Sequence, residues 1–190
     1  MKDYREIIGE EGEEQVREVL QEVLNKMDYE YKIVRNVYFP FESVYGINGY
    51  ITAEFDFIVF TPFYIYIIEV KNERYLNNNP KEPLCELMDN TEVSNPITQN
   101  HNHKNVFCSE MMIQRENVIT IEILLKTENC ERVEKIFPND YVFGKDDYKE
   151  NLFYLLSTET DIQLDYKSLY KEFINKVEEK GISKEEHINI

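Results

Sequence analysis

The chain has 190 residues, of which 42% are apolar and 13% aromatic, and its formal net charge is −16. This composition favours a folded globular domain over a disordered chain. The charge argues against unassisted binding of nucleic acid, because a polyanion is repelled at long range. If a polyanion binds at all, residues 31–109 are the least acidic part of the chain and would need bound cations to help.

Membrane and secretion signals are missing from the sequence. No apolar run approaches the roughly 18 residues of a membrane span, and the N-terminal residues MKDYRE contain no signal-peptide core. The three cysteines, Cys85, Cys108 and Cys130, are an odd number without CxxC spacing, which favours reduced thiols over disulfides or a zinc site. We therefore expect a cytoplasmic protein that does not contact a membrane.

The first half of the chain predicts one helix and three strands. Apolar residues at helical spacing predict an amphipathic helix over 12–27. A strand over 31–39 and a glycine-containing loop over 40–50 follow. Strands over about 51–60 and 64–71 are joined by a short turn and are apolar on both faces, so we expect the sheet to be covered on both sides.

The second half begins with an excursion over 72–94, where Asn and Pro accumulate and periodicity is weak. The elements expected after it are a helix over 96–112 with proline in its first turn, a strand over 118–125, a further strand and a loop within 133–143, and a helix over 166–180 that stops at Gly181. The order helix, three strands, helix, strand predicts an α/β fold around a mixed sheet, with residues 1–190 forming a single domain.

Charged residues interrupt the two most apolar strands. Asp56 lies within the first of them, while Glu69 and Lys71 end the second and share one of its faces. A hairpin would bring Asp56 and Glu69 together, and two adjacent carboxylates require a proton or a cation between them. Mg²⁺ or Mn²⁺ suits oxygen ligands of this kind. Lys71 could then orient or deprotonate a water molecule, or neutralise charge on a phosphate. From spacing alone, a simple ion pair at a strand end is equally well supported.

Four motifs together resemble the nuclease-related domain (NERD) family. They are, in chain order, GEEGE at residues 9–13 followed by Val16 and Leu20, AEFDFIV at 53–59, IIEVKN at 67–72 and NPITQNHNH at 95–103. The resemblance covers residues 9 to about 125 and leaves about 126–190 as a C-terminal extension with a strand and a helix. One departure is the absence of tryptophan after the third motif, which leaves the geometry of the substrate-contacting loop open.

The resemblance implies a restriction-endonuclease-like core of the PD-(D/E)xK nuclease superfamily, with a central mixed β-sheet flanked by helices in the order αβββαβ. It implies Asp56 and Glu69 as metal ligands, Glu13 as a further acidic ligand, Lys71 as the catalytic lysine and Gln99 as a site residue. Mg²⁺ or Mn²⁺ would be the cofactor.

Three further residues are candidates for substrate contact. His103 follows Gln99 by one helical turn and could approach a phosphate, although a single histidine on a helix more often belongs to the core edge. Arg74 and Tyr75 follow the proposed site directly. Their position favours contact with a nucleic acid more than that of Tyr64 and Tyr66, which alternate with isoleucine.

Two functions from different classes fit the sequence. The first is a metal-dependent nuclease that acts on DNA rather than RNA, either as a homo-oligomer or with a protein partner that delivers the substrate. The second is a non-catalytic acidic interaction module or DNA mimic on a nuclease-like fold. Binding of a divalent metal discriminates between them, since a mimic does not need it.

Overall fold

The computed structural model describes residues 4–47, 50–76, 82–127, 137–161 and 163–183. Its centre is a five-stranded mixed sheet in the order β1-β2-β3-β6-β7. The strands of this sheet are β1 (Lys32–Ile47), β2 (Tyr50–Phe60), β3 (Ile65–Lys71), β6 (Val118–Leu124) and β7 (Asp140–Gly144), and the small hairpin beside it consists of β4 (Leu84–Glu86) and β5 (Glu92–Ser94). The helices are α1 (Tyr4–Leu24), α2 (Pro96–Glu110), α3 (Tyr148–Leu156) and α4 (Tyr166–Lys180).

The sheet is antiparallel on one side and parallel on the other. Strands β1, β2 and β3 pair antiparallel, whereas β6 pairs parallel to β3 and β7 parallel to β6. The crossover from β3 to β6 passes through α2, as parallel strands require. This mixed α/β arrangement confirms the predicted restriction-endonuclease-like fold class.

Helices cover both faces of the sheet, which explains why its central strands are apolar on both faces. On one face α1 and α3 pack through residues such as Leu20 and Leu152 against Ile68 and Ile121. On the other face α2 and α4 pack through Phe107 and Phe173. We call these the α1 face and the α2 face.

A tight turn fixes the register of β2 and β3. The hydroxyl oxygen of Thr61 accepts hydrogen bonds from the backbone N–H groups of Phe63 (3.3 Å) and Tyr64 (3.1 Å). The turn leads into the pairing of Phe60 with Ile65 and of Phe57 with Ile68. Asp56 and Glu69 come next along the two strands, directly beyond the last paired residues.

Four expectations about element boundaries were wrong. Helix α1 begins at Tyr4 rather than near residue 12, residues 40–47 continue β1 instead of forming a loop, the excursion contains the β4–β5 hairpin, and α3 was not expected. Residues 40–47 remain extended because pairing with β2 outweighs the local turn preference of glycine. In the case of α1, Tyr4, Ile7 and Ile8 have helical spacing and continue the apolar pattern towards the N-terminus.

The remaining expectations for the second half hold where the structure describes them. Helix α2 begins as predicted, with Asn95 accepting a hydrogen bond from the N–H of Ile97 (3.1 Å) and Pro96 in the first turn. Helix α4 ends at Lys180, and Gly181 is its C-cap. The strand expected within 133–143 is β7, while residues 133–136 and Cys130 lie outside the described residues. None of the described helices has the length and apolarity needed to cross a membrane.

Candidate active site

The β2–β3 hairpin brings Asp56 and Glu69 together at the end of the sheet. Both are buried, with 5% and 2% of their surface exposed. Asp56 is fixed in place because its Oδ2 accepts a hydrogen bond from the backbone N–H of Val70 at 2.7 Å. The first carboxylate is therefore bonded to the backbone of the very strand that carries the second.

Lys71 lies two residues beyond Glu69 and pairs with it. Its Nζ donates to Glu69 Oε1 at 2.6 Å. Burial lowers the pKa of Lys71, but the carboxylates of Glu69, Asp56 and Glu122 outweigh it and hold that pKa well above its usual value. Lys71 is therefore an ammonium ion at any physiological pH.

One ammonium does not balance the carboxylates around it. Burial, followed by repulsion from Glu69, raises the pKa of Asp56 well above its usual value, while Lys71 partly opposes the rise. Glu69 Oε2 accepts no hydrogen bond from the part of the chain that the structure describes. Its neighbour His103 Nδ1 lies 3.9 Å away, too far for a hydrogen bond.

A close approach of α1 to the end of β3 adds a third carboxylate to the cleft. At Gly12, a Cβ atom would lie 2.8 Å from the Cβ of Asn72, so only glycine lets the helix come this near. The side chain of Asn72 then donates from Nδ2 to the carbonyl oxygen of Ile8 at 2.7 Å. The GEEGE and IIEVKN motifs are therefore in direct contact, through Gly12 of the first and Asn72 of the second.

Glu13 follows Gly12 and lines the cleft, whereas its neighbour Glu14 is exposed and pairs with Arg17 at 2.6 Å. The spacing of the motif had favoured Glu13 over Glu14, and the structure places Glu13 beside the other carboxylates. Partial burial, with repulsion from Glu54, raises the pKa of Glu13. This shift has the same cause as that of Asp56 and reflects crowding of negative charge.

The cleft that these residues line has a volume of about 540 Å³. Its acidic side chains are Glu13, Glu54, Asp56, Glu69, Glu73 and Asp89. Its basic side chains are Lys71, Arg74 and Lys126. Arg74 and Lys126 are exposed at the rim, where they can reach an anionic ligand. The sequence had not singled out Lys126, which directly follows the end of the apolar run around β6.

Gln99 and His103 are not among the residues that line this cleft. Both line a second cavity of about 580 Å³ between α2 and β2. His103 is 6% exposed and touches both regions, because its ring also lies near Glu69. Gln99 lines the second cavity and not the cleft.

Tyr75 does not have the position expected of a substrate contact. It is 7% exposed and packs with Cys85, Leu87 and Leu124, forming a backbone bridge to Leu87. The β4–β5 hairpin covers the ring, which sequence analysis could not anticipate because these strands lack a clear apolar period. The expectation for Tyr75 is wrong, and Arg74 is the member of the pair that faces the cleft.

Glu122 is a buried carboxylate that sequence analysis missed. It lies on β6 directly opposite Glu69 in the parallel register and is 1% exposed. Burial, and then repulsion from Glu69, raises the pKa of Glu122 well above its usual value. The signal was present, since Glu122 is the one charged residue in the strand VITIEIL, just as Asp56 interrupts β2.

The carboxylates fit a divalent cation by the chemistry of their donor atoms. They are oxygen ligands in a crowded, negatively charged region, which is what Mg²⁺ and Mn²⁺ bind in proteins. The described residues nevertheless include no group of three or more His, Cys, Asp or Glu side chains already arranged around a metal position. The ammonium of Lys71 lies against Glu69 instead.

Comparison with known families gives one match. The family model described as NERD, nuclease-related domain, matches residues 8–125. This range spans more than half of the chain and includes Glu13, Asp56, Glu69, Lys71 and Glu122. No curated protein and no solved structure matches the chain.

Proposed function

Because the chain belongs to the nuclease-related domain family, we propose that it is a cytoplasmic nuclease that hydrolyses phosphodiester bonds in DNA with Mg²⁺ or Mn²⁺. That domain is generally assigned to the PD-(D/E)xK superfamily, and the resemblance to it rests here on Asp56, Glu69 and Lys71. The observation that carries the proposal is their arrangement on one hairpin beside an open cleft.

In this proposal the carboxylates and Lys71 have different tasks. Asp56, Glu69 and Glu13 would hold the cation. When bound, the cation would activate water and stabilise charge on the phosphate. Asp56 is held rigidly by the backbone of Val70, and Glu69 keeps one oxygen without a donor within the described structure. The carboxylates are thus both anchored and available.

Lys71 acts as a cation and not as a base. Its raised pKa keeps it protonated, so it can donate a hydrogen bond to a phosphate oxygen or to the attacking water but cannot remove a proton from that water. We therefore favour hydrogen-bond donation by Lys71 over its action as a general base. Substrate binding needs further positive charge, and Arg74 and Lys126 at the rim supply it.

The excess of acidic residues in the cleft also supports the alternative function, an acidic interaction module or DNA mimic. A net charge of −16 and the lack of a preformed metal cage among the described residues both favour it. Under the nuclease proposal the same charges make substrate binding weak and strongly dependent on the metal. A homo-oligomer or a protein partner that delivers DNA would offset this weakness.

The experiment that separates the two functions compares the wild type with Lys71→Met and with Lys180→Met as a matched control. Lys180 lies at the end of α4 and pairs with Glu110, far along the chain from the cleft motifs. Supercoiled, linear and single-stranded DNA are each incubated with the proteins and Mn²⁺ or EDTA.

The nuclease proposal expects cleavage by the wild type and by Lys180→Met with Mn²⁺, and none with EDTA. Lys71→Met should lose at least about 100-fold in rate, the scale expected when a donor to the transition state is removed. Lack of cleavage by the wild type on all three substrates, together with lack of Mn²⁺ binding, would leave the acidic interaction module as the function.

A further inference from the structure

Four buried oxygen atoms near Lys71 accept no hydrogen bond of ordinary length and angle from the described residues. They are Glu69 Oε2, both carboxylate oxygens of Glu122, and Asn100 Oδ1. The three residues are 1–2% exposed. An unpaired buried polar group destabilises the folded state, and a charged one does so more strongly. A group of such atoms in one place therefore calls for a compensating partner.

Strand pairing and helix packing bring the four atoms together. Glu69 and Glu122 are directly opposite on neighbouring parallel strands, so both side chains point to the α2 face, about 4.8 Å apart at the backbone. Asn100 on α2 donates from Nδ2 to the carbonyl oxygen of Ile121, the residue before Glu122, at 3.2 Å. This bond uses one of the two N–H groups of the amide, the interaction of Asn100 with Glu122 only partly offsets the raised pKa of that carboxyl, and Oδ1 remains an acceptor.

The described side chains do not provide enough positive charge to balance this oxygen cluster. The ammonium of Lys71 donates to the other oxygen of Glu69, at 2.6 Å. The next buried cation on α2 is Lys104, which is bonded to Asp140 at 2.8 Å. The cluster thus consists of four acceptor oxygens, three of them carboxylate oxygens, and oxygens of this kind are the ligands of a hard cation.

We propose that Glu69, Glu122 and Asn100 form an interior site for a divalent cation, Mn²⁺ or Mg²⁺, adjoining the cleft carboxylates through Glu69. The inference rests on the proposed function, because Glu69 belongs to both sites. Glu122 and Asn100 become members of the metal-binding machinery that neither the motifs nor the lining of the cleft identify. The competing explanation is a neutral Glu122 whose proton is donated to Asn100 Oδ1.

Titration of the metal-free full chain with MnCl₂ in a calorimeter distinguishes the two explanations. Glu122→Gln keeps the shape of the side chain and removes its charge. Glu54→Gln is the matched control, because Glu54 lines the cleft but does not belong to the oxygen cluster. It removes one negative charge nearby and therefore measures the effect of general electrostatics.

The interior site predicts that Glu122→Gln weakens Mn²⁺ binding by at least about tenfold or removes one equivalent of Mn²⁺, since loss of even outer partners of a metal site has such effects. Glu54→Gln should change the affinity less than about threefold, because Glu54 supplies no oxygen to the cluster and solvent partly screens its charge. Equal Mn²⁺ stoichiometry and affinity in wild type and Glu122→Gln would overturn the interior site and establish the neutral acid.

A second variant keeps the test valid if Glu122→Gln folds poorly. Asn100→Asp adds charge to the oxygen cluster, so Mn²⁺ should raise its melting temperature by more than it raises that of the wild type. A smaller rise than in the wild type contradicts the site. These readouts do not depend on cleavage. If DNA is not cleaved but Glu122→Gln loses Mn²⁺, only the nuclease proposal fails, and the reverse result rejects only the interior site.

Discussion

Two buried groups of charges lie along the α2 face, and they differ in how completely they are paired. We call Asp140, Lys104 and His101 the Asp140 cluster, and Asp56, Glu69, Glu122 and Lys71 the carboxylate site. In the Asp140 cluster one carboxylate accepts from Lys104 Nζ at 2.8 Å and lies 2.5 Å from His101 Nδ1. Lys104 also donates to the carbonyl oxygen of Pro138 at 3.2 Å.

The carboxylate site has the opposite balance. One ammonium faces three buried carboxylates, and three of their oxygens have no donor within the described chain. Asn100 and Lys104 are one turn apart on α2, so the same helix contributes to both groups. A paired cluster fastens α2 to β7, whereas an unpaired one is expected to bind something from outside. Incomplete pairing is what distinguishes a site from a structural contact here.

The largest effect is expected in the Asp140 cluster. Lys104→Met leaves the carboxylate of Asp140 buried without its main partner and should lower the free energy of unfolding by about 3–5 kcal/mol. Urea denaturation measures the loss, which should be the same with Mn²⁺ and with EDTA. Lys71→Met, the corresponding variant of the carboxylate site, should regain stability when Mn²⁺ is added. Recovery of Lys104→Met with Mn²⁺ would contradict the structural role of this cluster.

Of the two groups of charges, only the carboxylate site should depend on the position of α1. Gly12→Ala places a Cβ atom 2.8 Å from that of Asn72 and should cost about 1–3 kcal/mol through overpacking, while weakening Mn²⁺ binding by displacing Glu13.

Gly9→Ala is the matched control for that substitution, since nothing lies within 4 Å of the added methyl group. It should raise stability by up to about 1 kcal/mol through helix propensity. Similar losses of stability in the two alanine variants would show that the contact between α1 and β3 is not tight.

A smaller effect of opposite sign is expected at Glu122. In EDTA, Glu122→Gln should raise the free energy of unfolding by about 1 kcal/mol, because it removes a buried carboxyl group that is repelled by Glu69. Asp140→Asn should lower it, because that carboxylate is paired. Urea denaturation of both variants measures whether the free energy of unfolding rises or falls. A loss of stability in both would mean that Glu122 has a partner as good as that of Asp140.

The smallest effect is expected at two cysteines that report on the two groups of charges. Burial raises the pKa of Cys85 to about 11, with Glu122 adding to the rise, and burial raises that of Cys108 to about 11, with Lys104 opposing. Alkylation requires the thiolate, so both should react slowly at neutral pH and faster as the pH rises towards 11.

Glu122→Gln should lower the pKa of Cys85 and speed its alkylation by less than about tenfold, because burial remains the larger cause. It should leave Cys108 unchanged. Mass spectrometry in a Cys130→Ser background follows each thiol separately. An equal acceleration at both cysteines would indicate a general loosening of the fold rather than a local electrostatic effect.

The sequence by itself determined the local part of this protein. Apolar runs fixed β2, β3 and β6, and the short turn between β2 and β3 set the register that brings Asp56 and Glu69 to the same end of the hairpin. The glycine of the first motif indicated that Glu13 lies at the cleft, since a helix that must come close to a strand needs a residue without a side chain. These features depend on contacts that are close in the chain or on backbone rules that single residues reveal.

Tertiary structure alone decided what covers and completes the site. The packing of Tyr75 beneath the β4–β5 hairpin and the placement of Glu122 opposite Glu69 bring together residues about 12 and 53 positions apart. The contact of Lys104 with Asp140 is of the same kind. Sequence patterns show that a charge stands in an apolar strand, but its partner depends on which strand lies alongside and on where the crossover helix packs. The strand order and the position of the helix both depend on burying the two faces of the sheet at once.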